Sequence, residues 1–158
     1  MSALVSVIMG SYNDLEVMKG AYEMLDKFGV KYEKRVMSAH RTPYDVEDYI
    51  KKNNFKIIIA GAGVAAHLAG VIAAFTTSVV IGVPIYNKTV GGLDALLSMV
   101  QMPPGIPVAT VAINGAKNAA ILAVEVLALS DESLAKKLKD FRIEQREAVL
   151  KADAELNG

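Results

Sequence analysis

The sequence predicts a three-layer α/β/α sandwich on a five-stranded parallel sheet, followed by a long C-terminal helix. Three observations carry that prediction. Apolar runs of strand length alternate with segments of helical period along the chain. The runs "KIIIA" (56–60) and "SVVIG" (78–82) are almost continuously apolar, as strands buried on both faces are. The first three runs each end in an unusual loop, where strands of an open parallel sheet frame a ligand crevice.

Taken in order, "LVSVIM" (4–9) is the first strand. It leads to a helix from about Asp14 to Phe28, with Leu15, Met18, Tyr22, Leu25 and Phe28 on one face and Gly29 placed to end it. "VKYEKRVM" (30–37) is the second strand. Thr42 then stands at a cap position, Pro43 at the first helical position, and Asp45 and Glu47 near the positive end of that helix. "FKIIIA" (55–60) and "SVVIG" (78–82) are the third and fourth strands, with a helix of small residues between them. Leu93, Leu96, Leu97 and Val100 form an amphipathic stripe, and "PVATVAI" (107–113) is the fifth strand. "NAAILAVEVLAL" (118–129) is apolar nearly all round, which predicts burial on more than one face. The C-terminal helix, 131–156, carries Leu134, Leu138, Phe141, Ala148 and Ala152 on one stripe. A sheet of five short strands is small for so much apolar helix, so these late helices predict contact with another copy of the chain. Residues 1–158 read as a single domain, without repeats or a linker.

Lys+Arg and Asp+Glu are both 17, so the net charge of zero gives no electrostatic case for nucleic acid or an anionic membrane surface. No cysteine is present, which excludes disulfides and thiolate metal sites and fits a reducing cytoplasmic setting. The N-terminal "MSALVSVIMGS" lacks the basic start of a signal peptide and reads as a strand. Ile57 to Asn87 contains no charged residue, but its glycines, His67 and Pro84 break it into strand, helix and strand rather than a membrane span.

The polar residues gather in the loops "GSYND" (10–14), "SAHRT" (38–42) and "GAGVAAH" (61–67). With strand order 2-1-3-4-5, all three would line one crevice. Gly10 suits a tight turn, and the Ser11 hydroxyl and N–H groups at a helix start suit a phosphate; capping by Asn13 or Asp14 is the plainer alternative. Arg41 offers a bidentate donor for the same anion, unless it is an ordinary surface arginine. Asp14 would repel a phosphate and is better placed on sugar hydroxyls. "GAGVAA" matches a dinucleotide fingerprint, yet no acidic residue follows at the next strand end, "IGVPIYN", so a nicotinamide site is rejected. Gly61, Gly63 and Ala65 would instead let backbone approach a ligand closely. His67 is either a catalytic group or a satisfied buried histidine. Two histidines with no carboxylate at ligand spacing make a poor metal site. That leaves His40 as the proton-transfer group beside the phosphate loop, able to take and give a proton near neutral pH. These residues point to proton chemistry on a phosphorylated small molecule.

The blocks "MGSYND", "SAHRTP", "AGAGVAAHLAG", "VIGVP", "GLDALLSMVQMPPGIPVATVAI" and "KNAAILAVEVLAL", in order from about residue 4 to residue 147, closely resemble the class I N5-carboxyaminoimidazole ribonucleotide mutases of purine biosynthesis. The resemblance implies a flavodoxin-like sandwich and a cytoplasmic homo-octamer. The reaction it implies moves a carboxylate from N5 to C4 of an aminoimidazole ribonucleotide without metal or organic cofactor. It also implies substrate binding through Ser11, Asp14, Ser38 and Arg41, with His40 as general acid and base. Asn13, Val64, Ala69 and Asn114 depart from the family pattern; at 64 the family carries glycine or arginine. Two other readings are a related carboxylase that takes free CO2, whose second loop differs at Arg41, and a flavodoxin-like module that only binds a nucleotide. The second gives no reason for His40 beside Arg41.

Overall fold

The computed structural model describes residues 3–158. Five parallel strands form one sheet in the order β2-β1-β3-β4-β5. They are β1 (Val5–Met9), β2 (Tyr32–Val36), β3 (Ile57–Gly63), β4 (Val79–Ile85) and β5 (Ala109–Thr110). Among the described residues six α-helices accompany them: α1 (Leu15–Phe28), α2 (Pro43–Lys52), α3 (Leu68–Phe75), α4 (Leu93–Val100), α5 (Ala116–Ala128) and α6 (Glu132–Asn157). Because β1 lies between β2 and β3, the chain direction across the sheet reverses there, and the loops after these three strands sit side by side.

β1, β3 and β4 are buried except at Gly63 and Val79, and Val5, Val7, Ile57, Ile59 and Ile81 are wholly inaccessible. One core face joins Ile8, Ile58 and Val80 to Val46, Ile50, Leu68, Ile72 and Met99. α1 ends as its sequence requires, with Gly29 at φ 74°, its N–H bonded to Asp26 and Leu25 carbonyls.

Four details differ from the sequence reading. β3 continues through Gly61, Ala62 and Gly63, in register with Val83, Pro84 and Ile85 of β4, so the glycines end the strand instead of opening a loop. β5 is a pair of residues, because it is an edge strand bonded only to β4; beyond it Val111 N–H and Asn114 N–H still bond to Gly82 and Pro84 carbonyls. Thr42 holds the cap position of α2 without capping it, because its hydroxyl is spent inside the preceding loop. The α4 stripe is turned outward: Ala95 and Met99 are buried while Leu93, Leu97 and Val100 are about half exposed. Gly82 explains that choice of face, since a Cβ there would come within 3.0 Å of the Met99 sulfur.

The chain divides into two compact units after Ala123. In the second, Val124–Gly158, Asp131 caps α6 by accepting from the N–H groups of Ser133 and Leu134. Arg142 pairs with Glu125 at 3.1 Å. Leu134 is buried and Leu138 and Phe141 half-buried, but the stripe stops there: Ala148, Ala152 and every other residue beyond Phe141 are exposed. Among the described residues, no helix is long and apolar enough to cross a membrane.

Candidate active site

The carboxyl ends of β1, β2 and β3 open onto a cavity of about 230 Å³. That is below the usual volume of a drug-sized pocket and suits a mononucleotide better than a dinucleotide. Its polar wall comes from Gly10, Ser11, Asp14, Ser38, His40 and Arg41. The opposite wall is Ala62, Gly63, Val64, Ala65, His67 and Leu68, with no formal charge outside the imidazole. Nine of the ten residues singled out in the sequence therefore meet on one cavity. Gly61 does not line it. It lies inside β3, where a Cβ would fall 2.4 Å from the Met18 sulfur, so its small size serves helix-to-sheet packing.

Local hydrogen bonds fix the first loop. Ser11 caps a 3-10 turn, Tyr12–Asp14, and the pair is reciprocal: Ser11 Oγ accepts from Asn13 N–H at 3.3 Å, and Asp14 Oδ2 accepts from Ser11 N–H at 3.1 Å. Capping and cavity lining are thus done by the same two residues. Burial pushes the Asp14 carboxyl above its ordinary range, against the Ser11 N–H and the Arg41 charge, which both pull it down.

The second loop is wired around Ser38. Its Oγ accepts from the N–H groups of His40 (3.3 Å) and Arg41 (3.2 Å) and from Arg41 Nε (3.3 Å). Ser38 N–H donates to Thr42 Oγ1 at 2.9 Å, and that hydroxyl donates back to the Ser38 carbonyl. Arg41 Nη2 donates to the Gly10 carbonyl at 2.9 Å, which ties the second loop to the first and aims the guanidinium along the polar wall. Such a fork, beside a serine hydroxyl, is suited to a phosphate.

The third loop delivers His67 to the first position of the turn into α3. Its Nδ1 lies 2.8 Å from His40 Nε2, with the rings edge to face at 76°. One ring nitrogen donates and the other accepts, the choice following the tautomer. Sequence reading named both histidines but not this bond, which needs the tertiary approach of two loops. It also passed over Ala39, Ala62 and Leu68 as lining residues. Their only signal is adjacency to the polar residues.

This arrangement can hold an anionic group by Arg41 and the serines, accept sugar hydroxyls at Asp14, and exchange a proton at His40 against a neutral wall. The family model described as AIR carboxylase matches residues 4–148. The N5-carboxyaminoimidazole ribonucleotide mutase of Saccharolobus solfataricus is 56% identical over 92% of this chain and 94% of its own. The protein of the same name from Methanocaldococcus jannaschii is 53% identical over 95% of both. The crystal structure of Treponema denticola PurE superposes with a TM-score of 0.90, at 29% identity, over 99% of this chain and 100% of that one. With the family model matched over residues 4–148 and relatives of more than half identity covering over nine-tenths of the chain, the chain belongs to the AIR carboxylase family.

Proposed function

We propose that this chain is an isomerase, an N5-carboxyaminoimidazole ribonucleotide mutase of de novo purine biosynthesis. The observation that carries the reading is His40: an imidazole on the same cavity as the Arg41 guanidinium, facing a wall of small neutral residues. Relatives bearing the mutase name at more than half identity support it. In this reading Arg41, Ser11 and Ser38 hold the phosphate, and Asp14 accepts ribose hydroxyls. Gly10, Gly63, Ala65 and His67 border the aminoimidazole.

The chemistry then follows from where protons can go. The N5–carboxylate bond breaks to give CO2 and the free amine, and His40 supplies the proton that N5 takes up. C4 of the imidazole attacks the CO2 carbon, forming the new C–C bond, and the proton displaced from C4 returns to His40. No net proton is consumed, and no group beyond the imidazole is required to carry one. Keeping CO2 beside C4 makes recombination an oriented step instead of a bimolecular one. The test is conversion of the N5-carboxylated to the C4-carboxylated ribonucleotide by purified protein without ATP; no conversion refutes the reading.

A second reading, direct carboxylation of the aminoimidazole ribonucleotide by free CO2, is favoured by the family description itself. Turnover of a substrate labelled in its carboxylate, in unlabelled bicarbonate, separates the two, since only the mutase carries the label into product. On the mutase reading residues 1–158 act as one catalytic domain in a cytoplasmic homo-octamer, with residues 131–156 packing between copies. The exposed Ile143, Val149, Leu150 and Leu156 of α6 and the outward leucines of α4 support an oligomer. Sedimentation velocity showing single chains would refute it.

A further inference from the structure

The residues assigned to the phosphate border two spaces. Gly10, Ser11, Ser38 and Arg41 line the cavity of about 230 Å³ and also an outer groove of about 300 Å³. The groove lies toward the β2 edge of the sheet, where Val36 and Met37 leave that strand, and Tyr12 joins its lining from the first loop. The two spaces differ in chemistry. Asp14, His40 and His67 line the inner cavity and not the groove. The groove holds one formal charge, the Arg41 guanidinium, beside apolar and aromatic side chains. Core packing accounts for neither Tyr12, at 70% exposure, nor Val36, at 51%. Among the described residues the Tyr12 ring stacks on no other ring. Arg41 spends its Nε on Ser38 Oγ and one Nη2 N–H on the Gly10 carbonyl, which leaves the rest of its five donors for an anion.

We infer that the outer groove is a second nucleotide site, which takes a purine nucleoside 5′-monophosphate with its phosphate on the shared residues and its base on the Tyr12 ring. A free guanidinium edge beside two serine hydroxyls recognises a phosphate, and an exposed aromatic ring recognises the flat face of a base. A purine, with two fused rings, offers the larger face. The groove has no carboxylate and no imidazole, so a ligand held there undergoes no proton transfer. It is an inhibitor and not a substrate. One guanidinium serves both spaces, and two phosphates beside it would repel each other, so the two ligands exclude one another. The inference rests on the phosphate reading of Arg41, Ser11 and Ser38, and not on the carboxylate-transfer chemistry.

The experiment is isothermal titration of the wild type, Tyr12→Ala and Tyr12→Phe with adenosine 5′-monophosphate, with ribose 5-phosphate as the ligand that lacks a base, and with aminoimidazole ribonucleotide. Wild type and Tyr12→Phe should bind the adenosine nucleotide about 5- to 100-fold more tightly than ribose 5-phosphate, the range that base stacking supplies. Tyr12→Ala should bind the two alike. Aminoimidazole ribonucleotide should displace the adenosine nucleotide, and its own affinity should stay within about twofold of wild type in both variants. That last measurement guards against a disturbed turn between Ser11 and Asp14: an alanine variant that loses aminoimidazole ribonucleotide as well puts Tyr12 in the service of the inner cavity and overturns the inference. An adenosine nucleotide that binds no more tightly than ribose 5-phosphate, or as tightly to Tyr12→Ala as to wild type, overturns the role of Tyr12 alone. Simultaneous binding of both nucleotides overturns the shared phosphate position. A wild type that binds none of the three overturns the phosphate reading of Arg41, and the inference with it.

Discussion

Gly61→Ala sets a methyl group against the buried thioether of Met18. A Cβ on residue 61 would lie 2.4 Å from Met18 Sδ, 3.0 Å from Cε and 3.2 Å from Cγ. Apolar atoms settle at about 3.5–4.0 Å, so the sulfur must retreat by roughly 1 Å or more. Met18 is wholly inaccessible, so it has nowhere to go without displacing its neighbours. Methionine is flexible and will absorb part of the clash. Overpacking of this kind costs about 1–3 kcal/mol. At about 2–4 °C per kcal/mol for a domain of this size, Tm should fall by roughly 2–12 °C. Gly10→Ala is the control. Its nearest neighbour would be Ala62 Cβ at an ordinary 3.6 Å, and its Tm should stay near that of the wild type. Differential scanning calorimetry reads the stability, and titration with aminoimidazole ribonucleotide reads binding. If Gly61→Ala melts with the wild type but binds the ribonucleotide poorly, the glycine serves the ligand and the packing argument is wrong.

His40→Asn should keep the fold and ribonucleotide binding while losing most turnover, because an amide is close in size but carries no proton at neutral pH; activity near wild type in a stopped assay would remove His40 from the chemistry. Arg41→Lys should weaken binding by about 1.5–3 kcal/mol, since an ammonium cannot reproduce a fork-shaped contact with phosphate. An unchanged KM would put the phosphate elsewhere. Asp14 predicts a pH signature. Burial raises its carboxyl above the ordinary value of 3.8, so the folded chain binds that proton more tightly than the unfolded one. Between 3.8 and the raised value the folded state therefore holds more protons, and the stability this group contributes falls as pH rises through that window. Denaturant titrations should accordingly show Asp14→Asn gaining on wild type from acid towards neutral pH; a pH-independent difference between the two would contradict the burial argument.

Much of the architecture was legible in the sequence because it rests on periodicity. The apolar runs of β1, β3, β4 and β5, the buried face of α1 and the glycine after Phe28 are local signals, and strand–helix alternation leaves few topologies open. The crevice was legible because chemistry-bearing residues fell at three successive strand ends. What escaped was set by contacts between distant segments. Gly61 reads like a loop glycine until Met18 is seen opposite it. The α4 leucines read like a core stripe until Gly82 is seen to admit Met99 from the other face. Thr42 reads like a cap until Ser38 claims its hydroxyl. The positive φ of Val64, 56°, is a backbone angle, which side-chain pattern does not encode.

The strand order also has a consequence for how the chain is made. Every lining residue of the cavity lies before residue 69, yet β3, the strand that brings the third loop to the other two, is an interior strand. As the chain emerges, β3 can join β1 at once, but its far edge stays open until β4 follows. At about 5–20 residues per second that interval is on the order of seconds. During it the run Ile57–Ala60 offers an unpaired, strongly apolar edge, the kind of template on which chains aggregate. β4 contributes no side chain to the cavity, but by covering that edge it decides how many nascent chains reach a working site. Substitutions that weaken β4 should therefore reduce soluble yield before they reduce the activity of the molecules that fold.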